Sequence, residues 1–267
     1  MGLVACGRLA DNAGTSHLGY VACGPMRTFL SLGVALLWAL WLVSPAQSAD
    51  HPPLTVAVYG DSLGEGLWQG LYLLLKSDSQ TRVIRRSKLG SGLTRGDYSD
   101  WFEDFKAELD KAPPDIAVIM FGANDQQSLR DASRKGYLFA TEGWKTVYAS
   151  RVDAIMNELK SRHVQTAWIG LPIMRKDELN KGARLLDAIF EAEAARDQVM
   201  FLPLNSEFTD ESGNFVTYVS DASKHSRQIR AEDGVHFTGY GYGLVAERVW
   251  AQIQEHREPT PESAPSH

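Results

Sequence analysis

The chain has 267 residues, 44% hydrophobic and 22% charged, which fits one globular domain with tails and excludes a disordered or multi-span membrane chain. A net charge of −6 without a strong basic run sets nucleic acid aside as a partner, because phosphate binding needs clustered Lys and Arg. Both cysteines, Cys6 and Cys23, precede residue 26, so the rest of the chain offers no disulfide, thiol nucleophile or Cys-ligated zinc.

From Met26 the sequence reads Met-Arg, then an uncharged apolar core over 29–43, then Ser-Pro-Ala-Gln-Ser-Ala. That order is the pattern of a secretory signal peptide over 26–49, with cleavage after Ala46, Ser48 or Ala49 fitting equally well. The apolar core is shorter than the roughly 20 residues a spanning helix needs, so no stable membrane span is expected after cleavage. Residues 1–25 match no part of this pattern and are expected to be an extension upstream of a true start at Met26. A periplasmic or secreted domain over 50–256 is expected to follow, with a disordered tail over 257–267.

Within the domain, strand and helix patterns alternate. Leu54 to Tyr59 predicts a strand, and Leu67, Leu71, Leu74 and Leu75 predict a helix over 63–75 after the turn Gly60-Asp61-Ser62. A short strand at 82–85 leads to the glycine-rich loop 88–94, and a helix follows over 99–109. The continuously apolar strand at 116–121 ends in Gly122-Ala123-Asn124-Asp125. Then come a helix at 141–162, a strand at 166–171, a helix at 177–196, a strand at 199–202, an irregular polar stretch over 205–232 and a final helix at 238–254. Alternation at this spacing means βαβ units, a parallel sheet and function at the carboxyl ends of the strands.

A serine on a strand-to-helix turn can attack a carbonyl and help hold the oxyanion that results, although a helix N-cap is the commoner use of serine there. His236 is the candidate base, with Asp233 three residues earlier to fix its tautomer. Of the other histidines after residue 49, His51, His256 and His267 flank the domain or end the tail, His163 ends a helix, and His225 sits among charged loop residues. Candidate oxyanion donors are the Ser62 N–H, the Gly92 N–H and the Asn124 amide; Gly90 replaces Gly92 if the loop is offset by two. Asn124 has a turn-forming alternative. Tyr98 and Trp101 stand either to stack on a sugar ring or to pack in the core. Gln126, Gln127 and Arg130 stand either to line the pocket or to lie in a solvated loop. Asp61 and Asp125 read as loop-orienting residues. A two-metal site would want more His and Asp at strand ends, and strand one lacks the Gly-x-Gly-x-x-Gly of a dinucleotide site.

Gly60-Asp61-Ser62-Leu63, Ser91-Gly92, Gly122-Ala123-Asn124-Asp125 and Asp233-x-x-His236, in this order, resemble the SGNH, or GDSL, hydrolase superfamily over essentially the whole domain. Ser91 to Arg95 with Asp97 and Asp100-Trp101, Asn124 to Gln127, Trp168 to Pro172 and Arg230-x-x-Asp233-Gly-x-His236-Phe237-Thr238 look like one periplasmic bacterial branch, catalogued as a domain of unknown function. The resemblance implies a three-layer α/β/α, flavodoxin-like fold with a mainly parallel five-stranded sheet. It implies Ser62 as nucleophile, Asp233 and His236 completing the triad, Ser62, Gly92 and Asn124 as the oxyanion hole, and no metal or organic cofactor. The expected activity is a serine esterase acting on O-acyl (acetyl) esters of envelope carbohydrate or on a small ester; O-acyl transfer, lipase or thioesterase chemistry and glycan binding without turnover stay open. Nothing in these motifs addresses acyl length or oligomeric state.

Overall fold

The computed structural model describes residues 52–257; the expected extension, signal peptide and most of the tail lie outside the described residues. Strand β1 (Leu54–Gly60) leads into helix α1 (Ser62–Leu75), and β2 (Thr81–Arg85) leads into α2 (Tyr98–Lys111). After β3 (Ile116–Met120) the chain forms a small hairpin, β4 (Leu129–Arg130) with β5 (Gly136–Tyr137), before the long α3 (Glu142–Ser161). Then come β6 (Gln165–Ile169), α4 (Asp177–Asp197) and β7 (Met200–Leu202), a second hairpin of β8 (Tyr218–Ser220) with β9 (Ser226–Gln228), and α5 (Gly239–His256).

The five long-range strands form one parallel sheet in the order β2-β1-β3-β6-β7. The chain steps outward from β1 to β2 and then crosses back to β3. The strand order therefore reverses between β1 and β3, which opens a crevice at their carboxyl ends. Helix α1 packs on α5, and α3 packs on α4 and α2, giving a helix layer on each face. The central strands are covered on both sides: Val56, Val58 and every residue of β3 are buried. Trp144, Tyr148, Trp168 and Phe190 fill the space beneath α3 and α4 through ring-to-ring contacts. No helix among the described residues is long and apolar enough to cross a membrane.

The α/β architecture and its five-stranded parallel sheet are as the alternation predicted. The differences are local. β1 runs on to Gly60, whose φ of +153° and whose contact with the Met120 carbonyl, 2.1 Å from where a Cβ would lie, admit only glycine. β3 stops at Met120, so Phe121 already belongs to the site loop. The two polar stretches read as loops contain the hairpins β4–β5 and β8–β9. Their strands have two or three residues and little apolar alternation, so the period-2 signal is missing.

Candidate active site

The site is assembled from four loops at the carboxyl ends of the strands. Ser62 is the first residue of α1, where the backbone N–H has no partner inside the helix. The helix is capped by Asp61, whose carboxylate accepts the Leu63 N–H at 2.9 Å. The cap role weighed for Ser62 thus falls to its neighbour, and the Ser62 hydroxyl is left for other work. It lies 2.7 Å from Nε2 of His236, and Nδ1 of the same ring lies 2.7 Å from Asp233 Oδ2.

Two buried aspartates lace the loops that carry the nucleophile and the candidate oxyanion donors. Asp61 Oδ2 accepts the N–H groups of Gly122 (3.0 Å) and Ala123 (2.8 Å), joining the turn after β1 to the turn after β3. Asp125 accepts from the Leu93 N–H (3.1 Å), the Thr94 N–H (3.0 Å), the Thr94 hydroxyl (2.9 Å) and the Tyr148 hydroxyl (2.8 Å). The loop after β2 is thereby tied to the same turn. Burial pushes the Asp61 carboxyl up to about 6 against the downward pull of its three N–H donors, with the Asp125 charge adding to the rise. Burial raises Asp125 as well. Both orient loops, as the sequence suggested, and neither faces the His236 ring as a partner.

Gly92 sits where a Cβ would lie 2.4 Å from Asp125 Oδ1, so only glycine lets the loop close over that carboxylate. Gly90, by contrast, is exposed and faces open space. Asn124 donates one amide N–H to the Ser91 carbonyl at 2.9 Å. That bond fixes the plane of the amide and leaves its second N–H to point elsewhere. Ser62, Gly92 and Asn124 are thus gathered at the mouth of the crevice between β1 and β3.

The turn bearing Asp233 and His236 is held differently. Asp233 Oδ1 accepts the N–H groups of Val235 (2.8 Å) and His236 (3.0 Å). Burial pushes its carboxyl up, but these N–H bonds and the His236 ring outweigh it and hold the group down at about 2. The acid therefore stays ionised wherever a histidine titrates, as a partner of imidazolium must. Behind the turn lies Arg230, fully buried between the rings of Phe215 (4.7 Å) and Phe237 (4.5 Å). It donates to the carbonyls of Ile173 (2.7 Å), Val235 (2.8 Å) and His236 (3.4 Å). Burial lowers its pKa to about 10. The sequence marked Arg230 only as part of a motif; three acceptor carbonyls converging on one guanidinium leave no trace in residue order.

The remaining candidates separate. Trp101 stacks on Phe105 (5.3 Å) and meets Phe121 edge-on (5.4 Å), which is the packing alternative. Tyr98 lines a groove, with the Arg151 guanidinium 4.5 Å from its ring centroid. Gln126 is half-buried and donates to the Leu179 carbonyl of α4 at 2.7 Å, while the exposed Gln127 donates to the Asn124 carbonyl at 2.6 Å. Arg151, which no sequence signal singled out, donates to the carbonyls of Leu93 and Arg130 and so braces the loop after β2. As for metals, among the described residues one acidic group, Asp153, Glu193 and Asp197, is close enough to share an ion; it lies on α3 and α4, and Arg196 is ion-paired into it.

The family described as "Protein of unknown function (DUF459)" matches residues 55–252. No curated protein matches the chain. Among solved structures it is similar to TesA, at 17% identity and a TM-score of 0.53, with 75% of this chain and 98% of that one covered. It is similar to a GDSL-like lipase from Bacteroides thetaiotaomicron, at 17% identity and 0.51, covering 75% and 87%. The periplasmic domain of a lipopolysaccharide acetyltransferase from Salmonella ser. Paratyphi A matches at 12% identity and 0.54, covering 76% and 84%. At these identities the likeness is one of fold.

Proposed function

The chain belongs to the DUF459 family and has the SGNH/GDSL hydrolase fold, and on that footing we propose that it is a secreted serine esterase that removes acyl groups from envelope carbohydrate. The observation that carries the reading is the pair of 2.7 Å contacts running from Asp233 through His236 to a serine at a helix N-terminus. In this mechanism Ser62 Oγ attacks the ester carbonyl carbon while His236 Nε2 takes its proton. The developing oxyanion is held by the N–H groups of Ser62 and Gly92 and by the free amide N–H of Asn124. Asp233 keeps the Nδ1 proton in place and stabilises the imidazolium. Collapse expels the alcohol, which takes the proton from His236 and leaves acyl-Ser62. Water, deprotonated by the same ring, then releases the acid.

Delivery to the periplasm is part of the proposal and is supported by the leader pattern from Met26. A second reading, O-acyl transfer, shares the whole first half-reaction and ends with a sugar hydroxyl in place of water. It is favoured by the likeness in fold to the acetyltransferase domain.

The test is hydrolysis of p-nitrophenyl acetate by the purified protein beside Ser62→Ala and His236→Ala, with labelling by a fluorophosphonate probe. Loss of either residue is expected to lower kcat by roughly 10³-fold or more. Turnover surviving in Ser62→Ala, or a folded wild type that neither turns over nor labels, would sink the esterase reading. An inert protein that binds glycan would leave the non-catalytic alternative standing.

A further inference from the structure

Beside the loop after β2 lies a groove of about 880 Å³ between the start of α2, the β4–β5 hairpin and α3. Arg95, Arg130, Arg134 and Arg151 line it together with the rings of Tyr98 and Phe102. Four arginines and one aspartate thus line the groove, on a chain whose net charge is −6, and one of the four, Arg95, is ion-paired to Asp97 at 3.1 Å. The carboxylate, Asp131, directs its oxygens into the hairpin turn, to the Ser133 hydroxyl (2.7 Å), the Lys135 N–H (3.0 Å) and the Tyr137 hydroxyl (3.0 Å). Arg130 gives one N–H to the Arg134 carbonyl (2.9 Å), which leaves most of its five donors open. Neither Arg130 nor Arg134 forms an ion pair among the described residues. Their fork of donors matches the planar oxygens of a carboxylate or the oxygens of a phosphate.

The groove is continuous with the catalytic loops. A shallower extension of about 300 Å³ shares Arg95, Gly96 and Arg130 with it and is closed by Thr94 and Gln127. Thr94 is bonded to Asp125, and Gln127 to the Asn124 carbonyl. Arg95 follows Gly92 by three residues, a stretch of chain that reaches about 11 Å at most. The loop that carries Gly92 thus runs directly into the groove wall at Arg95 and Gly96.

Building on the esterase reading above, we propose that this groove is an anion subsite, which binds a carboxylate- or phosphate-bearing unit of the glycan flanking the acylated sugar. The substrate class is then an acidic polysaccharide. Arg151 has a second part in it: it donates to the carbonyls of Leu93 and Arg130 at once, so one side chain ties the groove wall to the loop after β2.

Equilibrium binding tests this without depending on turnover. Tetragalacturonate and galactotetraose are titrated calorimetrically into wild type, the double variant Arg130→Gln/Arg134→Gln, and Arg184→Gln, which removes an exposed charge on α4 instead; circular dichroism verifies each fold. The expected result is that wild type binds the acidic sugar at least tenfold more tightly than the neutral one, with affinity falling as salt rises. The double variant should lose at least tenfold, and Arg184→Gln less than twofold. Inorganic phosphate competing better than acetate assigns the subsite to phosphate-bearing units, and the reverse order assigns it to uronate-like units. Equal affinity for the two sugars, equal weakening in Arg184→Gln, or no saturable binding of tetragalacturonate or phosphate at millimolar concentration overturns the proposal. Because Ser62 takes no part in this measurement, an inert protein that prefers the acidic sugar overturns the esterase reading alone. An active esterase without that preference overturns the subsite alone.

Discussion

The two halves of the site are held in place by opposite charges. The half that carries Ser62, Gly92 and Asn124 is laced by buried carboxylates, and the half that carries Asp233 and His236 is backed by a buried guanidinium. The reason lies in which backbone groups each half leaves unpaired. Where a parallel strand turns into a helix or a tight loop, N–H groups point outward with no acceptor in the ladder, and an aspartate collects them. The same device recurs after β6, where Asp187 accepts the Leu171 N–H at 2.7 Å and burial pushes its carboxyl up to about 7. The turn before α5 gives the Val235 and His236 N–H groups to Asp233, but it also presents the carbonyls of Val235 and His236 beside that of Ile173 from the loop after β6, and the donor-rich side chain of Arg230 answers all three.

The strongest way to break the comparison is to take the anion out of the first half. Asp125→Ala leaves four buried donors without an acceptor: the N–H groups of Leu93 and Thr94 and the hydroxyls of Thr94 and Tyr148. At roughly 1–3 kcal/mol for each buried orphan, partly offset by water entering the space, unfolding in urea should show a loss of about 4 kcal/mol or more. Ester turnover should fall with it, since Gly92 loses the carboxylate it is packed against. A loss below about 1 kcal/mol would mean that the carboxylate's own desolvation cancels its bonds, and the lacing argument would fail.

Arg230→Met is the matching operation on the second half. Methionine keeps apolar volume between Phe215 and Phe237 but leaves the carbonyls of Ile173, Val235 and His236 without their donor. The expected loss is about 3 kcal/mol, smaller than for Asp125→Ala because carbonyls tolerate missing partners better than N–H groups. Arg230 acts through His236, so the variant is expected to lower kcat for ester hydrolysis with little change in KM. If the loss fell instead on KM, or if Arg230→Lys restored neither kcat nor stability, the arginine would be a packing residue and nothing more.

Much of this frame was legible before any coordinates, and its limits follow a pattern. Continuous apolar runs located β1, β3 and β6 to within two residues at either end because both faces of those strands are covered. Ser62, Gly92, Asn124, Asp233 and His236 stood out because each sits at a strand end or before a helix, where side-chain type signals chemistry. The hairpins did not, since β9 is exposed throughout and carries no alternation. Asp61 and Asp125 could be read as loop-orienting, but the number of donors each collects depends on contacts 23 to 62 residues away. The helix cap passed from Ser62 to Asp61 for a similar reason: which of two adjacent residues caps depends on one backbone dihedral pair, and sequence is nearly silent on that.

The smallest expected effect sharpens the contrast, because Asp61 and Asp233 must couple stability to pH with opposite signs. Asp61 is raised in the folded state to about 6 from an ordinary value near 3.8. Its folded form holds the proton more tightly, so its contribution to stability is complete below about 3.8 and is lost as pH rises through 6. Asp233 is lowered to about 2, so its contribution is complete above about 3.8 and is lost as pH falls toward 2. Asp61 is buried and its effect should reach about 2 kcal/mol, whereas the side chain of Asp233 is half-exposed and solvent screening should keep its effect below about 1 kcal/mol. Unfolding free energies measured from pH 2.5 to 7 for wild type, Asp61→Asn and Asp233→Asn separate the two, because subtracting each variant removes the common background of other carboxylates. The Asp61 difference curve should fall with rising pH between 4 and 6, and the Asp233 curve should rise with pH between 2.5 and 4. Two curves of the same sign would mean that the folded state holds the Asp61 carboxyl below its ordinary value, as it holds Asp233. Its three N–H donors would then outweigh burial, and the first half of the site would be as tolerant of a resident anion as the second.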